Sequence, residues 1–314
     1  MTEAELRSAA AALQGVALET PLVGAPGLGV PGGGPVRLKC EHLQPMGAFK
    51  IRGAWNSVSR LSPEQRSRGI VTHSSGNHGQ ALALAGARAG IRTVVVMPES
   101  APAIKVSGVR SRGAEVVLVP GPASERGRVA QEMADTQGLV MVPPYESHDV
   151  VAGQATCTLE ILDMWPAVTM IVAPVGGGGL LAGACAATSA LRPDVKVFGV
   201  EPVGAPKLTR AMDAGHPVVL EQTASVADGL LPMQIGVIPF GYIQPVLAGV
   251  VQVSDAEIIA AVRFLYQHHG MRVEPSGAAT VAALLAGHLP VTGPTAAILS
   301  GGNIDPERFA DLVR

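Results

Sequence analysis

Residues 44–54 read QPMGAFKIRGA, which sets Lys50 between the ring of Phe49 and the charge of Arg52. A lysine in that place is either a solvated surface charge or a reactive amine. In the second case, the nearby second cation would lower its pKa. Three other stretches put polar groups or glycines directly after apolar runs. Residues 74–85 read SSGNHGQALALA, with six polar or glycine positions before a helical pattern. Free N–H groups at a helix N-terminus favour an anion, and Ser74, Ser75 and Asn77 can add side-chain bonds. A simple N-cap and turn is the alternative. Capping needs only one such residue, so a carboxylate-binding loop is the better reading. Residues 176–183 read GGGGLLAG. Four successive glycines lose much backbone entropy on folding, which makes sense where the backbone must approach a phosphate; a loose turn between buried elements is the alternative. No Gly-Lys-Ser/Thr follows, and Glu201 comes late for a ribose-binding acid, so a phosphate without a nucleoside is favoured. Residues 300–306 read SGGNIDP, and the Ser300 hydroxyl can meet a ring nitrogen.

These groups need elements to hold them. Short apolar runs recur at 69–73, 92–97, 115–119, 139–142, 170–173, 196–200 and 296–299. Continuous apolar strands predict sheets covered on both faces. Helical patterns lie between them, for example over 79–89, 123–136 and 256–267. The alternation predicts an α/β fold with mostly parallel sheets, in which ligands sit outside the carboxyl ends of the strands. All four candidate stretches fit that placement.

Composition narrows the classes further. The 314 residues suit about two domains or one large α/β unit. Hydrophobic residues make up 47% and charged ones 15%, with net charge -2, so there is no basic excess to seek nucleic acid. Aromatics are only 3%, so the core must be built from Ala, Val, Leu and Ile. Three widely spaced cysteines offer neither a disulfide framework nor a zinc pattern. The N-terminus lacks the basic and apolar regions of a signal peptide, and a cytoplasmic location is expected. The uncharged stretch 164–191 is long enough to span a bilayer. It is broken by Pro166, Pro174 and the glycines, so a strand, a loop and a buried helix are expected instead.

A reactive amine, a carboxylate loop, a phosphate cradle and a ring-facing hydroxyl together describe a pyridoxal 5'-phosphate site for an amino acid. QPMGAFKIRGA, SSGNHGQALA, PVGGGGLLAG and LSGGN also stand in the order and spacing of the fold-type II pyridoxal phosphate enzymes. From about residue 15 to about residue 312 the chain resembles their serine/threonine dehydratase branch, which includes the serine racemases. The resemblance implies a tryptophan synthase β-like fold of two open, mostly parallel twisted sheets with flanking helices. Residues 1–60 and 146–314 would form a large cofactor-binding domain, and 61–145 a small mobile domain carrying SSGNHG. It implies a homodimer acting on a small amino acid, with no nucleic acid or membrane partner.

The resemblance also implies roles. Lys50 would be the Schiff-base lysine and general base, Phe49 the residue packed by the cofactor ring, and Asn77 the partner of its hydroxyl. Ser74, Ser75 and His78 would grip the substrate carboxylate. Gly176, Gly177, Gly178 and Gly179 would hold the phosphate. Ser300 would face the pyridine nitrogen as a neutral partner, which favours elimination over transamination. The expected reaction is loss of water from L-threonine or L-serine to give a 2-oxo acid and ammonia. Racemisation, with Ser75 on the opposite face, and dehydration of threo-3-hydroxyaspartate are the alternatives. Arg126 aligns with an arginine that reaches a second carboxylate; it also reads as an exposed arginine on a first helical turn.

Two departures stand out. Met46 and Ala48 replace the two hydroxyl residues of the usual Thr-Gly-Ser-Phe-Lys motif. Many members bind a divalent cation through a Glu, a backbone carbonyl at Ala and an Asp two residues later. Glu201 and Ala205 match, but Lys207 replaces the Asp, so a divalent cation is doubtful. The Lys207 ammonium either stands in for the metal or points to solvent.

Overall fold

The computed structural model describes residues 1–28, 34–74, 76–101, 103–121 and 123–314. The strands are β1 (Leu22–Gly24), β2 (Val36–Lys39), β3 (Ile70–His73), β4 (Thr93–Pro98) and β5 (Glu115–Val119), then β6 (Val140–Met141), β7 (Met170–Pro174), β8 (Lys196–Pro202), β9 (Gly249–Val253) and β10 (Thr295–Ile298). They form two sheets. One has the order β1-β2-β10-β7-β8-β9 and the other β5-β4-β3-β6. Every pairing is parallel except β1 with β2. The expected two-sheet α/β class is what the chain adopts. The sequence reading missed β1, β2 and β9. β1 is only three residues long and ends in glycine, and β2 has a charge at every second position.

The strands β7 and β10 are buried at every residue, because helices cover both faces. With few aromatic rings available, packing relies on close backbone approach. On the Lys50–Ser59 helix, a Cβ at Gly53 would lie 2.9 Å from the Val150 carbonyl oxygen of the His148–Met164 helix. A Cβ at Gly183, on the Gly179–Leu191 helix, would lie 2.6 Å from Ala155 N. Small residues therefore let these three helices touch along their backbones.

The stretch 164–191 contains the end of one helix, then β7, the glycine loop and the buried Gly179–Leu191 helix. Among the described residues, no helix is long and apolar enough to cross a membrane.

Candidate active site

The site lies at the carboxyl ends of β2, β3, β7 and β10, where parallel α/β sheets leave room for ligands. Lys50 opens the Lys50–Ser59 helix. The turn before it needs Gly47, whose φ of +79° is in the left-handed region and whose Cβ would strike the Asn303 amide. This turn is joined to the β10 end, about 250 residues on. Phe49 N–H donates to the Ser300 carbonyl at 3.0 Å, Gly302 N–H donates to the Gly47 carbonyl at 2.8 Å, and Ala48 bridges Gly301. Met46 and Ala48 are buried with Ile51, Ala54, Val58 and Ile70. The positions that lack hydroxyls therefore face an apolar cluster.

The Lys50 amine donates to the Pro144 carbonyl at 2.7 Å and lies 5.1 Å from the Phe49 ring centroid. Burial lowers its pKa to about 8. The sequence reading gave that task to Arg52, and here the structure corrects it. The Arg52 guanidinium turns away into a buried network. It bonds Glu41 (2.7 and 2.8 Å), Glu160 (2.6 and 2.7 Å), Thr156 Oγ1 (3.0 Å) and the Leu18 carbonyl (3.1 Å). Lys39 joins through Glu160 at 2.5 Å. With carboxylates neutralising the guanidinium, desolvation alone accounts for the lowered Lys50 pKa.

The glycine loop follows β7 and leads into the Gly179–Leu191 helix, whose first N–H groups lack intrahelical partners. Side chains are excluded at Gly176 and Gly177 and crowded at Gly178 and Gly179. A Cβ at Gly176 would lie 2.8 Å from the Gly229 carbonyl oxygen. One at Gly177 would enter the Tyr145 ring, one at Gly178 would lie 3.0 Å from Pro239, and one at Gly179 would lie 3.2 Å from Tyr145 Cβ. Gly178 also has φ +96°. Such a backbone-only cradle at a helix N-terminus suits a phosphate, and it stands beside a desolvated amine.

Residues 144–146 connect the two features, and the sequence reading missed them. Pro144 accepts from Lys50, Tyr145 lies on the cradle, and Glu146 accepts from Val237 N–H (2.8 Å) and Ile238 N–H (2.7 Å). Gly236 N–H then donates to the Gly177 carbonyl at 3.1 Å. The available signal was a polar PPYES stretch directly after a strand.

Asn77 starts the helix after β3. Its Nδ2 donates to Glu274 Oε1 at 2.7 Å, and its Oδ1 accepts from Asn303 Nδ2 at 2.8 Å. Burial, followed by the charge of Asp228, raises the Glu274 pKa to about 8. Ser74 Oγ accepts from Gly76 N–H at 3.2 Å. Ser75 lies outside the described residues. The His78 ring is buried and shares a hydrogen bond with the Val142 carbonyl at 3.0 Å. Burial, with the Lys50 charge added, pushes its pKa down to about 3, so it is neutral. Ser300 is buried and donates to the Ser276 carbonyl at 3.4 Å. Arg126 is half-buried rather than exposed, and its charge helps lower the pKa of His73, after burial. That puts a guanidinium by the strand end from which the 74–79 loop departs.

Glu201 and Ala205 meet at the end of β8, but the third participant there is Lys207. Its side chain is fully buried, which rules out the solvent-pointing reading.

The sequence profile of the pyridoxal-phosphate dependent enzymes matches residues 13–301. The chain is 37% identical over 307 residues to an L-threo-3-hydroxyaspartate ammonia-lyase of Pseudomonas sp, covering 98% of this chain and 96% of that one. It is 38% identical over 306 residues to an L-threonine ammonia-lyase of Thermotoga maritima, covering 97% and 76%. The structure of maize serine racemase superposes with a TM-score of 0.94 at 33% identity, covering 99% of this chain and 96% of that one.

Proposed function

The chain belongs to the pyridoxal-phosphate dependent enzyme family, and from that premise we propose that it is an ammonia-lyase for 3-hydroxy amino acids. The reaction removes water from the substrate, and the resulting enamine hydrolyses to a 2-oxo acid and ammonia. The observation that carries this reading is the Lys50 amine, desolvated next to a cradle that admits only backbone. Bound there, pyridoxal phosphate would supply an electron sink for the carbanion formed at Cα.

The chain's own residues would do the rest. The glycine N–H groups would bind the phosphate, and Asn77, held by Glu274 and Asn303, would orient the ring. Ser300 would offer a neutral hydroxyl to the ring nitrogen, keeping that nitrogen unprotonated and favouring elimination. Lys50 Nζ, whose pKa burial lowers to about 8, would take the Cα proton as general base. Ser74 and Ser75 would hold the substrate carboxylate, with neutral His78 behind them. The unit built on β3–β6, residues 61–145, would close over the substrate. A cytoplasmic homodimer completes the reading.

A second reading rests on Arg126. A guanidinium near the start of the carboxylate loop would suit a dicarboxylic substrate, which favours threo-3-hydroxyaspartate. Racemisation needs Ser75 as an opposing base. A panel of L-threonine, L-serine, D-serine and L-threo-3-hydroxyaspartate, scored for 2-oxo acid and for D-amino acid, decides among these. Lys50→Ala should abolish both turnover and the visible absorbance of the lysine-bound cofactor. If no panel member were turned over by the holoenzyme, the proposal would fail.

A further inference from the structure

After β8 the chain turns sharply and buries Lys207 completely. The ammonium donates to the Ala205 carbonyl at 3.0 Å and to the Leu230 carbonyl at 2.9 Å, and lies 3.9 Å from Glu201 Oε2. Three oxygens, two from the 201–205 stretch and one from Leu230, thus converge on one cation. Glu201 is further held by Leu208 N–H (2.8 Å), Thr209 N–H (2.9 Å) and Thr209 Oγ1 (2.7 Å). Every group named around the Lys207 amine is an acceptor, two carbonyls and one carboxylate, which is the surrounding a protonated amine requires.

This donor set does not fit a divalent ion. Mg²⁺ and Ca²⁺ need about six to eight oxygen ligands, at roughly 2.0–2.6 Å. Here the convergence point is taken by Nζ, and the residue that would have brought a further carboxylate brings a positive charge. We propose that the Lys207 ammonium is an internal cation that takes the place of a bound divalent metal, and that it ties the Asp228–Leu230 turn to the end of β8. The inference assumes the fold and cofactor site of the proposed enzyme but not its substrate.

The turn so held serves the cofactor site. Gly229, beside Leu230, presents its carbonyl to Gly176 of the cradle and donates its N–H to Ser276 Oγ at 2.8 Å. Ser276 in turn accepts from Ser300 through its carbonyl. Asp228, on the same turn, pairs with Lys105 at 2.8 Å, reaching the helix between β4 and β5. A charge at Lys207 therefore acts on the phosphate cradle, the ring-facing serine and the small sheet through a single segment. Placing that charge on a side chain makes it independent of ion concentration, where a bound ion would come and go.

The test uses purified holoenzyme, wild type and two variants, in EDTA and in millimolar Mg²⁺, Ca²⁺ or Mn²⁺. Thermal midpoint, bound metal and cofactor absorbance are read. The wild type should hold well under one equivalent of metal and show the same midpoint in chelator and in metal. Lys207→Met should lower the midpoint in every buffer, with no response to metal. Lys207→Asp should restore an oxygen ligand and become metal-responsive. At a hundredfold excess of cation over its Kd, its midpoint should rise by ~4 °C, and EDTA should reverse the gain. A stoichiometric metal in the wild type, with a midpoint that falls in chelator, would overturn the proposal. So would a folded Lys207→Asp that ignores all three cations. If neither variant folds, the wild-type metal content and chelator response decide alone. None of these readouts uses turnover, so a wrong substrate assignment would leave the result intact.

Discussion

Removing the Arg52 guanidinium tests how the helix that starts at the proposed Schiff-base lysine, Lys50, is held. Arg52 lies two residues beyond Lys50 on the same helix and is 1% exposed. It makes six hydrogen bonds of 2.6–3.1 Å, four of them to Glu41 and Glu160. Arg52→Ala leaves Glu41 fully buried, with Thr20 and Gln44 as its side-chain donors among the described residues, at 2.6 and 3.2 Å. Breaking a buried ion pair from one side costs about 3–5 kcal/mol, because a bare charge stays behind. For 314 residues, an unfolding entropy of about 2.1 cal/mol/K per residue gives about 0.7 kcal/mol/K, so the midpoint should fall by about 4–8 °C. Arg52→Lys should lose part of this, since one ammonium cannot serve two carboxylates, a hydroxyl and a carbonyl together.

The pH dependence is specific. In the wild type, Glu41 sits in desolvating surroundings but beside Arg52, and its pKa is held below the ordinary 4.5. Its contribution is present above that ordinary value and is lost as pH falls through the depressed one. In Arg52→Ala the lone carboxyl would instead be raised by burial. The deficit should be largest at neutral pH and shrink toward pH 4. Thermal melts of both proteins between pH 4 and pH 8 read it directly. A variant within ~1 °C of wild type at pH 7, or a deficit that does not change with pH, would refute the reasoning, because removing only the guanidinium leaves a buried carboxylate without its counter-charge.

Gly177→Ala drives a methyl into the Tyr145 ring. Overpacking of about 1–3 kcal/mol should weaken cofactor binding by roughly 5- to 150-fold, measured as the visible absorbance retained on dilution; unchanged affinity would show that the loop is not the cradle. Glu274→Gln keeps an acceptor for Asn77 but removes the ionisable proton. Because the Glu274 pKa is raised to about 8, its stabilising effect is present below 4.5 and is lost as pH rises through 8. The stability of Glu274→Gln apoprotein relative to wild type should therefore climb from pH 4.5 to 8, by up to about 1.4 kcal/mol per pH unit, and parallel curves would contradict this. Gly153→Ala would press a Cβ into the Arg52 backbone and to 2.6 Å from Gly53 Cα. It should cost about 1–3 kcal/mol in stability and lower kcat, by displacing the helix that starts at Lys50; a stable variant with wild-type kcat would contradict the tight-contact argument.

Much of the candidate site was legible because its signals are local. A glycine run after an apolar strand, a polar loop that opens a helix, and a serine at a strand end each announce themselves within ten residues. The α/β class followed from the same alternation. The short strands β1, β2 and β9 gave too little periodicity to be seen. The pairing of distant groups was beyond sequence reasoning. Asn77 meets Glu274 across 197 residues, and Arg52 meets Glu160 across 108. Lys39, Arg52 and Lys207 are all fully buried, although such residues are almost never buried unless paired. Whether they are paired depends on carboxylates and carbonyls brought from elsewhere in the chain. Sequence alone singled out Lys50 as the candidate amine and the loops proposed to serve it. Only the tertiary structure decided that Arg52 supports rather than tunes that amine, and that Lys207 points inward, because desolvation and charge compensation are set by the groups that folding brings together.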